Sequence, residues 1–134
     1  MGVMKLFLPR FRPLVLGDLP HGRLARANLF LPPGPVHFSI MAQRHAFKRH
    51  PETFMSCLPF LSETVTDPTH AGQAPDHGTD GFELIREIRQ ANLILLVAIR
   101  IRRSSDGAYQ VSSTYPIDRN KLERRLRKKF IVRL

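Results

Sequence analysis

The chain has 134 residues, enough for one domain with a modest core of its own. Its 43% apolar content fits a folded protein, while eleven prolines and eight glycines assign much of it to loops. The formal charge of +10 turns it toward anionic partners, and a single cysteine, Cys57, excludes an internal disulfide framework and fits a reducing compartment.

No stretch approaches the roughly 20 apolar residues that span a bilayer. The longest, Leu93 to Ile99, has the length of a buried strand. Lys5, Arg10, Arg12 and two prolines interrupt the apolar start, which makes a poor signal-peptide core, and Leu6 stands where myristoylation wants Ser or Thr. The expectation is a soluble, cytoplasmic protein that makes no use of a membrane.

In chain order, residues 1 to 35 mix apolar runs with Pro and Gly and read as an extended lead-in with at most one short strand. Ser39 is placed to cap a helix through Arg49. Pro51 ends it, because a residue before proline is pushed out of the helical region; His50 becomes a junction and Pro51 the first residue of a second helix. That helix carries Phe54, Met55, Leu58, Leu61 and Val65, kinked at Pro59. Residues 66 to 81 read as a polar loop. Three strands follow, Phe82–Ile88, Leu93–Arg102 and Tyr109–Ile117, the last two joined by a turn at Ser105-Asp106-Gly107. Asp118 caps a final basic helix, Ile117 and Leu122 are placed for a staple across the cap, and Leu122, Leu126 and Phe130 form its apolar stripe. The fold class is therefore α+β: N-terminal helices packed on a small antiparallel sheet, then a closing basic helix, in a single domain with residues 36–130 as its core.

Alternation gives the central strand two faces. Leu93, Leu95, Val97, Ile99 and Ile101 make one; Ile94, Leu96, Ala98, Arg100 and Arg102 make the other, which turns basic at one end. In the next strand Val111, Ser113 and Tyr115 alternate with Ser112 and Thr114, and a bulge would exchange the two sets. Charge is concentrated late in the chain: eight Lys or Arg between Arg119 and Leu134 face Glu123 alone, a balance of +7. That density suits a polyanion.

His45 and His50 are five residues apart, about 140° around a straight helix, so they would not share a face. Removal of His50 from the helix by Pro51 lifts that objection. Each taken alone also reads as a surface or capping histidine. Neither HExxH nor paired cysteines are present, and His70 and His77 share a loop with Asp67, Asp76 and Asp80 at no recognised metal spacing, so no metal and no cofactor are expected.

From Pro35 to about Phe130 the ordered features resemble a known family. They are Val36-His37-Phe38-Ser39, His45-Ala46-Phe47-Lys48-Arg49-His50-Pro51, Asp67-Pro68, Phe82-Glu83-Leu84-Ile85-Arg86, Leu95-Leu96-Val97-Ala98-Ile99 and Tyr109 to Ile117. Together they look like the phage-associated barnase, EndoU, colicin and RelE-like nucleases; the His-x4-His-Pro element and Ser-x-Tyr-x-Ile after a hydrophobic strand are the most specific. The resemblance implies helices on one face of an antiparallel sheet, RNA on the other, and metal-independent cleavage by attack of a ribose 2′-OH on the adjacent phosphate. It makes His45 and His50 candidate base and acid, in either order, and Ser113 and Tyr115 phosphate-orienting hydroxyls, with Ser112 as the alternative. Arg86 and Arg100 would contact the scissile phosphate, and Lys121, Arg124 and Arg125 the flanking backbone. No glutamate is an obvious barnase-style base, although Glu83 and Glu87 lie in or near a strand. The implied partners are RNA (tRNA, mRNA or rRNA) and an acidic antitoxin or immunity protein. Two other readings stand beside this one: a non-catalytic nucleic-acid-binding module, and a basic protein-interaction module.

Overall fold

A computed structural model describes residues 10–73 and 78–134. The elements are β1 (Leu14–Asp18), α1 (His21–Leu24), β2 (Pro35–Phe38), α2 (Ile40–Arg49), α3 (Phe54–Cys57), α4 (Leu61–Thr66), β3 (His70–Gly72), β4 (Gly81–Ile88), β5 (Leu93–Arg100), β6 (Tyr109–Pro116), α5 (Arg119–Arg127) and β7 (Ile131–Arg133). The fold is α+β, and the strands form one sheet in the order β1-β2-β6-β5-β4-β3-β7.

Strands β4, β5 and β6 are the long, strongly apolar runs, and short connections make them an antiparallel meander. The sheet as a whole is mixed, because β2 joins β6 in parallel. The two apolar faces of β5 each bury a core. Leu95, Val97 and Ile99 pack with Ala46, Phe54, Cys57, Leu61 and Val65, the inward residues of α2 to α4. Leu96 and Ala98 face the other way, onto Ile85, Ile117, Leu122 and Ile131, with Leu126 partly buried beside them. Helix α5 thus covers part of the face that the family resemblance leaves open to RNA. Leu122, 1% exposed, contributes about 2 kcal/mol there by its burial alone.

Several expectations change. The stretch before Val36 is more than a lead-in: β1 pairs with β2, and Leu16, Leu19, Leu24 and Leu29 are buried in the main core. Gly17, Pro20 and Gly22 break up that run, so it shows no period that would mark it as core. Residues 1–9, including Lys5 and Leu6, lie outside the described residues. The 66–81 loop contains β3, which pairs with β4 and β7. Gly72 allows this, since a Cβ there would run into the carbonyl oxygen of Phe130. Pro51 lies in a turn rather than opening α3, which starts three residues later, with the Phe54 amide donating to the His50 carbonyl at 2.9 Å. At Pro59 the chain passes through a 3-10 turn instead of a kinked helix. Lys129, in the left-handed region at φ 60°, ends the α5 turn, so Phe130 leads into β7 and is not part of the helical stripe. The Asp118 cap is present: its Oδ1 accepts from the Lys121 amide at 2.7 Å. None of the helices among the described residues is long and apolar enough to cross a membrane.

Candidate active site

Helix α2 is set by its two ends and its buried face. The Ser39 hydroxyl oxygen accepts from the Ala42 amide at 3.1 Å. Gln43, 2% exposed, donates from Nε2 to the carbonyls of Arg12 (2.7 Å) and Phe38 (2.9 Å), and Ala46 is buried one turn on. With Gln43 and Ala46 turned inward, His45 and Arg49 form an exposed stripe, four residues apart and hence on one side of the helix. His50 keeps its amide bond to the Ala46 carbonyl at 2.9 Å but leaves the helix at φ −135°, ψ 61°. Its ring stacks on Tyr115, with centroids 5.2 Å apart and planes 26° from parallel.

The facing wall is β6. Its register with β5 shifts between Ile99↔Val111 and Ala98↔Ser113, leaving Ser112 as the extra residue of a bulge. Tyr109 and Val111 therefore belong to the main core, while Ser113 and Tyr115 pair with Ala98 and Leu96, whose side chains occupy the opposite face. The Ser112 hydroxyl donates to the Ala98 carbonyl at 3.2 Å. The Ser113 hydroxyl bonds no other described residue and is half-buried in the cleft wall. Strand β2 pairs with β6 only at Tyr109 and Gln110, so α2, not a strand, passes beside the rest of β6.

Between them lies a cleft of about 520 Å³ lined by His45, Arg49, His50, Ser113, Tyr115 and Lys121, with Ala46, Thr114 and Pro116 completing its walls. A second hollow, of about 460 Å³, shares His45 and adds Arg100, Gln110 and Ser112. The two make one groove, and none of the described residues lining it is acidic. Both histidines, both hydroxyl groups and Ser112, Arg100 and Lys121 are brought together. Arg124 is exposed three residues beyond Lys121 on α5, outside the lining.

No protein-family model, curated protein or solved structure matches the chain.

Two more of the expected cations lie elsewhere. Arg86 is on the main-core side of β4, paired with Glu63 at 2.8 Å and with Asp67 at 3.1 Å, and its Nη1 donates to the Asp67 carbonyl at 2.6 Å. It ties the end of α4 to the sheet. Arg125 lies across Glu83, Nε to Oε1 at 3.0 Å and Nη2 to Oε2 at 3.2 Å. Glu83 is fully buried, so this guanidinium is committed to a carboxylate inside the protein. Glu87 is held by Arg119 at 2.8 Å, and that hydrogen bond draws its pKa down. Neither glutamate lines the groove.

His70 is 1% exposed, and burial pushes its imidazole pKa down. Its Nδ1 meets the Thr69 hydroxyl at 2.8 Å. No group of three His, Cys, Asp or Glu among the described residues is placed to hold a metal ion; His77 and Asp76 lie outside the described residues. Arg49 and Gln110 are groove residues that the sequence reading missed. The four-residue spacing from His45 marks Arg49, whereas only the β2–β6 pairing brings in Gln110.

Proposed function

We propose that this protein is a metal-independent endoribonuclease of the barnase/RelE-like kind, acting in the cytoplasm as a toxin or phage-associated effector on tRNA, mRNA or rRNA. The observation that carries the reading is the convergence of His45, His50, Ser113, Tyr115 and three cations on one groove, with no acid among the described residues that line it. The charged and titratable groups a phosphodiester meets from the described lining are cations, hydroxyls and imidazoles, and the main-chain order of α2 followed by the β4–β6 meander suits the fold of that family. The seven-stranded mixed sheet and the α5 cover are this chain's departures from it.

In the proposed reaction one imidazole takes the proton of the ribose 2′-OH as that oxygen bonds to the adjacent phosphorus. The bond from phosphorus to the 5′-oxygen breaks, and the other, protonated imidazole gives its proton to the departing oxygen. The products are a 2′,3′-cyclic phosphate and a 5′-hydroxyl. Positive charge from Arg49, Lys121 and Arg100, with a hydrogen bond from Ser113, balances the charge that builds on the phosphorane oxygens. Incubation of purified protein with RNA in EDTA tests the reading. Cleavage with those ends, lost in His45→Ala and in His50→Ala with the fold intact, is the expected result; cleavage only on addition of a divalent metal overturns the mechanism.

The stacked His50–Tyr115 pair also favours a second reading, a binding module in which those rings receive a base. Salt-sensitive binding that leaves RNA intact after long incubation selects it over cleavage. An acidic antitoxin or immunity protein would complement the same groove by charge.

A further inference from the structure

Another hollow, also about 520 Å³, lies where β3, β4 and β7 meet. Arg89 and Arg133 are exposed along it, and neither side chain makes a hydrogen bond or ion pair with another described residue. In its wall are His70 and Arg86. Nε2 of His70 and Nε of Arg86 are the two buried side-chain nitrogens without a hydrogen-bond partner among the described residues. The acids there are already neutralised: Asp67 by Arg23 and Arg86, Glu87 by Arg119. Arg89 and Arg133 are the cations of the described lining that hold no carboxylate within ion-pair distance.

Toward the candidate active site, this hollow shares Glu87 and Arg89 with a neighbouring depression. That depression contains Glu87 and Arg89 at one side and Asp118 and Arg119 at the start of α5 on the other; Lys121, two residues later, lines the groove. Along that end of the sheet lie Lys121, then Arg119 in its pair with Glu87, then Arg89 and Arg133. From β6 to β7 is four strand spacings, about 19 Å. Only a strand several nucleotides longer than the reacting pair covers that distance.

The geometry points to Arg89 and Arg133 as a distal phosphate subsite for single-stranded RNA whose scissile bond lies at His45 and His50, an inference that rests on the ribonuclease reading above. The strand would pass the start of α5, with a phosphodiester oxygen received by the two unpaired guanidiniums.

The test measures binding of a fluorescent trinucleotide and of a dodecanucleotide to full-length His45→Ala protein, with and without Arg89→Gln and Arg133→Gln, over a range of salt. At about 0.7 per phosphate contact, the double substitution should lower the salt slope for the dodecanucleotide by about 1.4 and its affinity on the order of tenfold, with a much smaller effect on the trinucleotide. Inorganic phosphate should shift the His70 imidazole resonances in the parent and not in the doubly substituted protein. Equal losses for both lengths, an unchanged dodecanucleotide, or no phosphate-dependent shift overturns the subsite while leaving the ribonuclease reading in place. Failure of either RNA to bind any variant, together with no cleavage by the unsubstituted protein, overturns both.

Discussion

Arg125→Met tests how α5 is held over the sheet. The substitution keeps most of the side-chain length but removes the guanidinium that lies 3.0 and 3.2 Å from the Glu83 carboxylate oxygens. The Glu83 side chain is 1% exposed and that of Arg125 20%, so water reaches the pair only from the arginine side. Removing one partner of a buried pair costs about 3–5 kcal/mol. Partial access of water at Arg125 argues for the lower end, about 3 kcal/mol, which for a domain of this size is a fall in Tm of about 10 °C. Glu83→Gln together with Arg125→Met removes both charges and should recover at least about 1.5 kcal/mol of the loss. Urea denaturation of the two variants and the parent measures both quantities. A loss below about 1 kcal/mol in Arg125→Met, or no recovery in the double variant, rules out the Arg125–Glu83 pair as the tie that holds α5 on the sheet. Lys121 lies one turn before Arg125, so the single variant should also bind RNA more weakly than its stability alone explains.

Gly72→Ala should cost about 1–3 kcal/mol or more and loosen β7, because the added Cβ would sit 2.6 Å from the Ile131 Cα and against the Phe130 carbonyl; amide exchange across 131–133 reports it, and an unchanged exchange pattern contradicts the β3–β7 pairing. Acid should weaken the fold through His70. Burial lowers its folded pKa, while the unfolded chain takes up a proton near about 6.5, so the unfolded state holds more protons just below that pH. The His70 contribution is full above about 6.5 and is lost as pH falls toward the folded value. Between pH values of about 7.5 and 5.5 the parent should lose more urea resistance than His70→Gln, and equal losses contradict the assignment.

The parts of the fold that were readable are local and periodic. The Ser39 and Asp118 caps, the two faces of β5 and the Pro51 junction at His50 each depend on a few neighbouring residues, and each is found. What was not readable depends on distant partners. Strands β3 and β7 have three residues each and no alternation to display, and they exist because each finds an edge to pair with. The side assignments of Ser112 and Ser113 turned on a bulge defined only against β5. Among the arginines, sequence gives charge but not orientation: Arg100 lines the groove, whereas Arg86 and Arg125 are taken up by Glu63, Asp67 and Glu83. Neighbouring Arg124 and Arg125 differ by about 100° on the helix, which is enough to put one in solvent and the other over a buried carboxylate.

The chemistry of RNA ends after incubation with purified protein in EDTA distinguishes metal-independent cleavage from its alternatives. The expected ends from the parent are 5′-hydroxyl and 2′,3′-cyclic phosphate, and none from folded His45→Ala or His50→Ala. Intact RNA with the parent, or 5′-phosphate ends that require added metal, would contradict metal-independent cleavage.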